Sequence, residues 1–219
     1  QIRKGLLRIL AALETTIDFP EDGGQEVNGE DTRAGLEKIL HELSVMVEAM
    51  HWGRVYREGV KVVICGKPNV GKSSLLNALL KQERSIVTAV SGTTRDCIEE
   101  VIDIRGIPVR IVDTAGIIEP RDLIEKEAVK RSRQQIADAD IVLLLFDGSR
   151  KLDRFDALLM KKVGARKTIA VINKIDLPQK IEVSSLACRF KQVLSLSAKK
   201  LRHLERLEEA IEQAVASGK

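Results

Sequence analysis

Gly66-Lys67-Pro68-Asn69-Val70-Gly71-Lys72-Ser73 decides the reading of this chain. The segment fits G-x-x-x-x-G-K-[ST]. It follows an apolar run at 62–65 and leads into a helical run at 74–80, the strand-loop-helix setting that a phosphate-binding loop requires. Its small glycines let backbone N–H groups close around phosphate oxygens, and the N-terminus of the following helix adds partial positive charge. Asn69, Val70, Gly71, Lys72, Ser73 and Ser74 are therefore candidate nucleotide contacts. Lys72 has the reach to meet the β- and γ-phosphates, and the Ser73 hydroxyl is of the type that ligates magnesium.

Outward from this loop, short apolar runs at 62–65, 101–104, 109–112, 141–146, 168–172 and 192–196 alternate with helical segments. That grammar predicts an α/β domain with a six-stranded, mostly parallel sheet over residues 61–217. The runs on either side of Arg105-Gly106-Ile107-Pro108 are too close for a crossover helix and predict an antiparallel hairpin. Residues 1–60 read differently. Leu6, Leu7, Ile9, Leu10 and Leu13 form one helical stripe that stops at Asp18-Phe19-Pro20. Leu36, Ile39, Leu40, Leu43, Val47 and Met50 form a second on a long helix reaching beyond Trp52. Two helices alone cannot bury both stripes, so 1–60 are expected to be part of a helical domain.

The chain has 219 residues, 44% hydrophobic and 31% charged, which suits one compact domain with an appendage and excludes disorder throughout. The longest apolar run, at 141–146, is far short of the ~20 residues that span a bilayer, and no stretch reads as a signal peptide. A net charge of +4 with both signs interleaved does not nominate nucleic acid. Cys65, Cys97 and Cys188 lack metal-ligand spacing and suit a reducing, cytoplasmic setting, with no membrane partner expected.

Three further segments fall at the ends of predicted strands. In Asp113-Thr114-Ala115-Gly116, the aspartate is placed to hold magnesium through water and the N–H of Gly116 to sense a γ-phosphate. In Asn173-Lys174-Ile175-Asp176, the last carboxylate accepts two hydrogen bonds from the paired N–H donors of guanine, which adenine lacks, and so selects GTP over ATP. Ser197-Ala198-Lys199 completes the set as a backbone contact to the guanine carbonyl. Residues 85–98, including Ser91-Gly92-Thr93-Thr94, are too polar for a strand and read as a switch loop ordered by the γ-phosphate, with Thr94 completing the magnesium site.

Ras-like enzymes orient the attacking water with a glutamine directly after the glycine of D-x-x-G. Here that position is Ile117, so water must be positioned by another group: Glu119, Glu125 and Glu127 are candidates, with Arg95 and Arg121 as possible cations. The residues alone leave that choice open.

Taken together, GKPNVGKSSLLNALL, VSGTTRD, DTAGI, NKID and LSAK resemble the translation-factor-related bacterial GTPases. Asp18-Phe19-Pro20-Glu21, the long helix running into the first strand, and EKEAVKRS at 125–132 look specifically like the MnmE (TrmE) family of tRNA-modification GTPases. The resemblance implies a P-loop GTPase fold behind a partial helical domain. It also implies that Asn69 is a potassium ligand and that Thr88, Ala89, Val90 and Thr93 lie in a potassium- and nucleotide-binding loop, with oxygens from Thr88, Val90 and Thr93. Potassium then stands in for an arginine finger. The resemblance points to Glu125 as the residue that positions water, making Glu125, Lys72 and Thr94 the catalytic set. It further implies a GTP-dependent homodimer of switch faces, and, in the longer protein, an MnmG-like partner and tRNA modified at its wobble uridine. A folate-binding, dimerising domain would then precede Gln1, and a helical segment ending in Cys-x-Gly-Lys would follow Lys219. Cys188 lies in a different context and is not that cysteine. Two other readings compete: a ribosome-assembly GTPase of the Der or Era type, and a nucleotide switch with negligible catalysis.

Overall fold

The structure, a computed structural model, describes residues 2–18, 29–82, 99–113, 134–165 and 167–217. By contact pattern the chain divides into Gln1–Arg54 and Val55–Lys219. The first unit holds α1 (Ile2–Asp18) and most of α2 (Gly29–Glu58). These helices meet where small residues allow close approach. A side-chain carbon on Gly5 would lie 3.0 Å from the Ile39 side chain, and one on Gly35 would lie 3.2 Å from Ile9. Ile39 is the only apolar residue of the unit that is buried among those described, while Leu7, Leu10, Leu40, Met46 and Met50 are exposed. The two predicted stripes are therefore real, but a helix pair covers little of them.

The second unit is built on a six-stranded sheet of β1 (Val60–Gly66), β2 (Glu99–Ile104), β3 (Ile107–Asp113), β4 (Ile141–Asp147), β5 (Thr168–Asn173) and β6 (Gln192–Ser195), in the order β2-β3-β1-β4-β5-β6. Every adjacent pair is parallel except β2 with β3. Central strands β4 and β5 are buried along their whole length, which is why they read as unbroken apolar runs instead of alternating ones. The hairpin turns at Arg105 and Gly106, with φ of 54° and 83°. Two successive positive φ values match the twist of the flanking strands. Asp103 steadies the turn by accepting a 2.6 Å bond from the Gly106 N–H.

The connecting helices α3 (Lys72–Gln82), α4 (Arg154–Val163), α5 (Val183–Ala187) and α6 (Leu204–Ala216) complete the layers. α4 starts at a capping box in which the Asp153 side chain accepts from Phe155 and Asp156 N–H groups, and Asp156 accepts from the N–H of Asp153. α6 packs Leu204, Leu207, Ala210, Ile211 and Val215 inward at helical spacing. No helix among the described residues is long and apolar enough to cross a membrane.

Cys65, on β1, is fully buried, and that burial pushes its thiol pKa up to about 12 in spite of the nearby Lys72 charge. Cys188 is exposed. A thiol reagent at pH 8 is expected to modify Cys188 in the native protein and Cys65 only after denaturation, because the thiolate is the reactive species. Peptide mapping after labelling checks this, and native labelling of Cys65 would show that β1 opens.

Candidate functional site

The loops of interest gather at the carboxyl ends of β1, β3, β4, β5 and β6. The chain crosses from one side of β1 to the other between β3 and β4, and crevices of this kind are where open α/β sheets bind ligands. The phosphate loop leaves β1 at Gly66, whose φ is 152°. A Cβ there would lie 2.6 Å from the Leu145 carbonyl, so the loop can start only with glycine. Asn69 takes a left-handed φ of 62° on the exposed rim, and Val70 turns inward and is buried. Gly71, with φ of 100°, lies so close to Asn173 that a Cβ would sit 2.3 Å from its side-chain nitrogen. Ser73 and Ser74 follow on the exposed first turn of α3.

Lys72 curls back over this loop. Its Nζ donates to the carbonyls of Gly66 at 3.1 Å and Lys67 at 2.9 Å. The ammonium is thus held against the start of the loop by two of its carbonyls.

Asn173 ties three segments together. It is buried at 2% exposure, donates from Nδ2 to the Val70 carbonyl at 2.9 Å, and accepts through Oδ1 from the N–H groups of Lys174 and Ala198 at 2.8 and 3.0 Å. A buried carboxamide with its polar atoms paired in this way fixes the relative positions of the phosphate loop, the 173–176 turn and the 197–199 turn. Lys174 sits in a left-handed conformation and spans the same gap, its Nζ 2.7 Å from the Asn69 carbonyl and 2.6 Å from Asp147.

Asp176 is half-buried and accepts a short bond from the Ser197 hydroxyl. That bond, more than any other influence, holds its carboxyl below the usual range, so it is an anion with acceptor capacity remaining at neutral pH. Ser197 is fully buried, and its Oγ also receives the Lys200 N–H. The backbone contact expected of the 197–199 turn leaves the Ser197 hydroxyl free for a second task, and in the structure that hydroxyl donates to Asp176. Ala198 is buried and Lys199 exposed.

The sequence reading missed the turn after β4. Asp147 is 9% exposed and accepts from the Ser149 N–H and hydroxyl at 3.0 and 2.7 Å, as well as from Lys174. Burial raises its pKa, but the Lys174 ammonium and the Ser149 bonds outweigh that and hold the carboxyl below its ordinary value. Gly148 donates to the Asn173 carbonyl at 2.9 Å, and a Cβ there would lie 2.1 Å from the Gln179 side-chain oxygen. The visible signal was Asp-Gly-Ser directly after the most apolar strand, a turn signature at the end of the sheet where ligands bind.

Asp113 closes β3 beside Ile64 of β1, next to the start of the phosphate loop. Thr88, Ala89, Val90, Ser91, Gly92, Thr93, Thr94, Thr114, Ala115, Gly116 and Glu125 lie outside the described residues.

A family model described as 50S ribosome-binding GTPase matches residues 61–174. The chain is 42% identical over 213 residues to the tRNA modification GTPase MnmE of Geobacter sulfurreducens, covering 97% of this chain and 46% of that protein. It is 38% identical over 220 residues to MnmE of Clostridioides difficile, covering 100% of this chain and 48% of the relative. The chain thus spans about half the length of the curated relatives it matches. Among solved structures, Aquifex aeolicus Era bound to GDP and AlF4− is 30% identical, with a TM-score of 0.58 over 70% of this chain and 56% of that one. The G domain of the Thermotoga maritima FeoB iron transporter is 26% identical, with a TM-score of 0.52 over 71% of this chain and 98% of that one.

Proposed function

From the premise that this chain belongs to the 50S ribosome-binding GTPase family and carries its GTPase domain, we propose that it is the nucleotide-hydrolysing module of a cytoplasmic tRNA-modification enzyme of the MnmE kind. The observation that carries the reading is Asn173 joining Val70 to Ala198 in one hydrogen-bonded frame with Lys72 poised over the phosphate loop. The frame supports a guanine nucleotide with its base at Asp176 and its phosphates against residues 69–74. Identity of 38–42% to MnmE proteins over nearly the whole chain supports the tRNA-modification role.

GTPases of this family work with magnesium, which supplies positive charge to the β- and γ-phosphates. The exposed Ser73 hydroxyl at the start of α3 and the place of Asp113 at the end of β3 fit such an ion, with Thr94 completing the set from the switch loop. For potassium, Asn69 on the exposed loop rim is a suitable side-chain oxygen donor, joined in the proposal by Thr88, Val90 and Thr93. Ile117 cannot orient water, and Glu125 takes that task. Two copies meet across their switch faces when GTP is bound, and an MnmG-like partner and tRNA engage the longer protein.

The test is GTP turnover measured against protein concentration in potassium and in sodium. The expected result is a specific rate that rises with protein concentration in potassium and stays low in sodium. Glu125→Ala is expected to lower the potassium rate by about 10²–10³-fold, in line with the loss of a group that acts on the attacking water. Equal rates in both salts would overturn the potassium assignment.

A second reading, a ribosome-assembly GTPase, is favoured by the likeness to Era, one of whose structures holds 16S ribosomal RNA. Co-sedimentation with ribosomal subunits would support it.

A further inference from the structure

Two carboxylates, Asp147 at the end of β4 and Asp156 in the first turn of α4, are each bound to a lysine that belongs to the phosphate loop or bonds to it. Asp147 holds Lys174 at 2.6 Å, and Lys174 holds the Asn69 carbonyl at 2.7 Å. Asp156, 3% exposed, holds Lys67 at 2.7 Å, and Asp153 holds the same ammonium at 2.8 Å. Lys67 is itself part of the loop, and its carbonyl carries Lys72. The two ties reach the loop on opposite sides of Pro68, at residues 67 and 69.

Burial makes these pairs matter. A carboxylate taken out of water is costly unless it is paired and hydrogen-bonded, and the ion pair is then fixed in one geometry. Asp147 also accepts from Ser149, and Asp156 accepts from the Asp153 N–H in the capping box of α4. Each lysine therefore has a rigid counter-anion, one at the end of a buried strand and one in the first turn of a helix. Lys67, Asn69, Asp147 and Asp156 also line one small cavity together, which places both ties on the same side of the loop.

We propose that Asp147 and Asp156 are positioning residues for nucleotide binding: acting through Lys174 and Lys67, they brace the phosphate loop from behind in the open form that receives phosphate. This rests on the guanine-nucleotide reading of the site. Without the brace, the loop must be ordered at the expense of binding energy, so nucleotide affinity falls and the loss appears mainly in the dissociation rate.

The experiment measures dissociation of a fluorescent GDP from the wild-type chain, Asp147→Asn, Lys174→Met and the double variant, with a thermal melt of each unliganded protein. A matching set uses Asp156→Asn and Lys67→Met. The expected result is an about three- to tenfold faster release for each single change, the size of a charge-assisted hydrogen bond passed on in part. The double variants are expected to be no faster than the single lysine variants, because each aspartate acts through its lysine. Should Asp156→Asn fail to fold, Lys67→Met removes the same tie from the more exposed side. Release unchanged in the aspartate variants overturns the brace. So do aspartate and lysine effects that multiply independently, which would mark Asp147 and Asp156 as general supports of the fold. A wild-type chain that does not retain GDP would instead sink the guanine-nucleotide reading, an outcome distinct from either.

Discussion

Asp176→Asn is expected to weaken GDP binding by roughly 10²–10⁴-fold while leaving the thermal melt of the unliganded protein nearly unchanged. The affinity loss follows from the donor pattern of the base. A carboxylate offers an acceptor to each of the two adjacent N–H groups of guanine, whereas a carboxamide offers one acceptor and one donor. The change removes two charge-assisted bonds worth about 1.5–3 kcal/mol each. Stability is spared because Ser197 donates to one side-chain oxygen of Asp176, and the asparagine oxygen accepts the same bond. The substitution should also improve binding of xanthosine diphosphate, whose carbonyl replaces the guanine amino group and meets the new amide. Titration calorimetry with GDP and xanthosine diphosphate checks both signs. Equal GDP affinity in the variant would remove Asp176 from the base site.

Gly71→Ala carries the other large effect, and its cause is steric. The added Cβ would lie 2.3 Å from Asn173 Nδ2, and φ of 100° is a backbone state that alanine rarely adopts. Backbone strain and overpacking cost about 1–3 kcal/mol each. Asn173 cannot yield without breaking its bond to Val70, so the strain falls on the frame that joins the loops. Nucleotide affinity is expected to drop on the order of a hundredfold or more, with a lowered melting temperature. Gly53→Ala serves as the control: the site in α2 has open space around it, and alanine favours a helix more than glycine does by roughly 0.8–1 kcal/mol. Its melt should hold steady or rise.

Most of the fold was legible from the sequence because every strand but β6 is either a buried apolar run or half of a tight hairpin. The runs at 141–146 and 168–172 became β4 and β5, which are buried on both faces and so need apolar residues at every position. The hairpin followed from Arg105-Gly106, whose conformations leave room only for antiparallel pairing. The stripe at Leu36, Ile39 and Leu40 correctly placed a helix, but periodicity cannot say whether a face is covered, and in the structure only Ile39 is buried.

The site was legible where a motif is contiguous. Asn173 and Lys174 could be named from four letters of sequence, as could Gly71 and Lys72 from eight. What could not be read was how those segments hold one another. Asp147 and Asp156 lie at least 74 positions from the phosphate loop in the chain, and their contacts to it arise only when parallel pairing of β1 with β4 brings the ends of those strands together. The bond from the Ser197 hydroxyl to Asp176 was not legible for a similar reason. A serine in a turn gives no sign of the carboxylate it meets until β5 and β6 are placed side by side.

The most direct test of the guanine-nucleotide site is competition between GDP and ADP for the purified chain in magnesium, followed by displacement of fluorescent GDP. The expected result is displacement by unlabelled GDP at stoichiometric levels and none by ADP at about a thousandfold excess, since adenine leaves Asp176 without its paired donors. Displacement by ADP at levels comparable to GDP would contradict the assignment of Asp176 and, with it, the reading of the frame that Asn173 holds together.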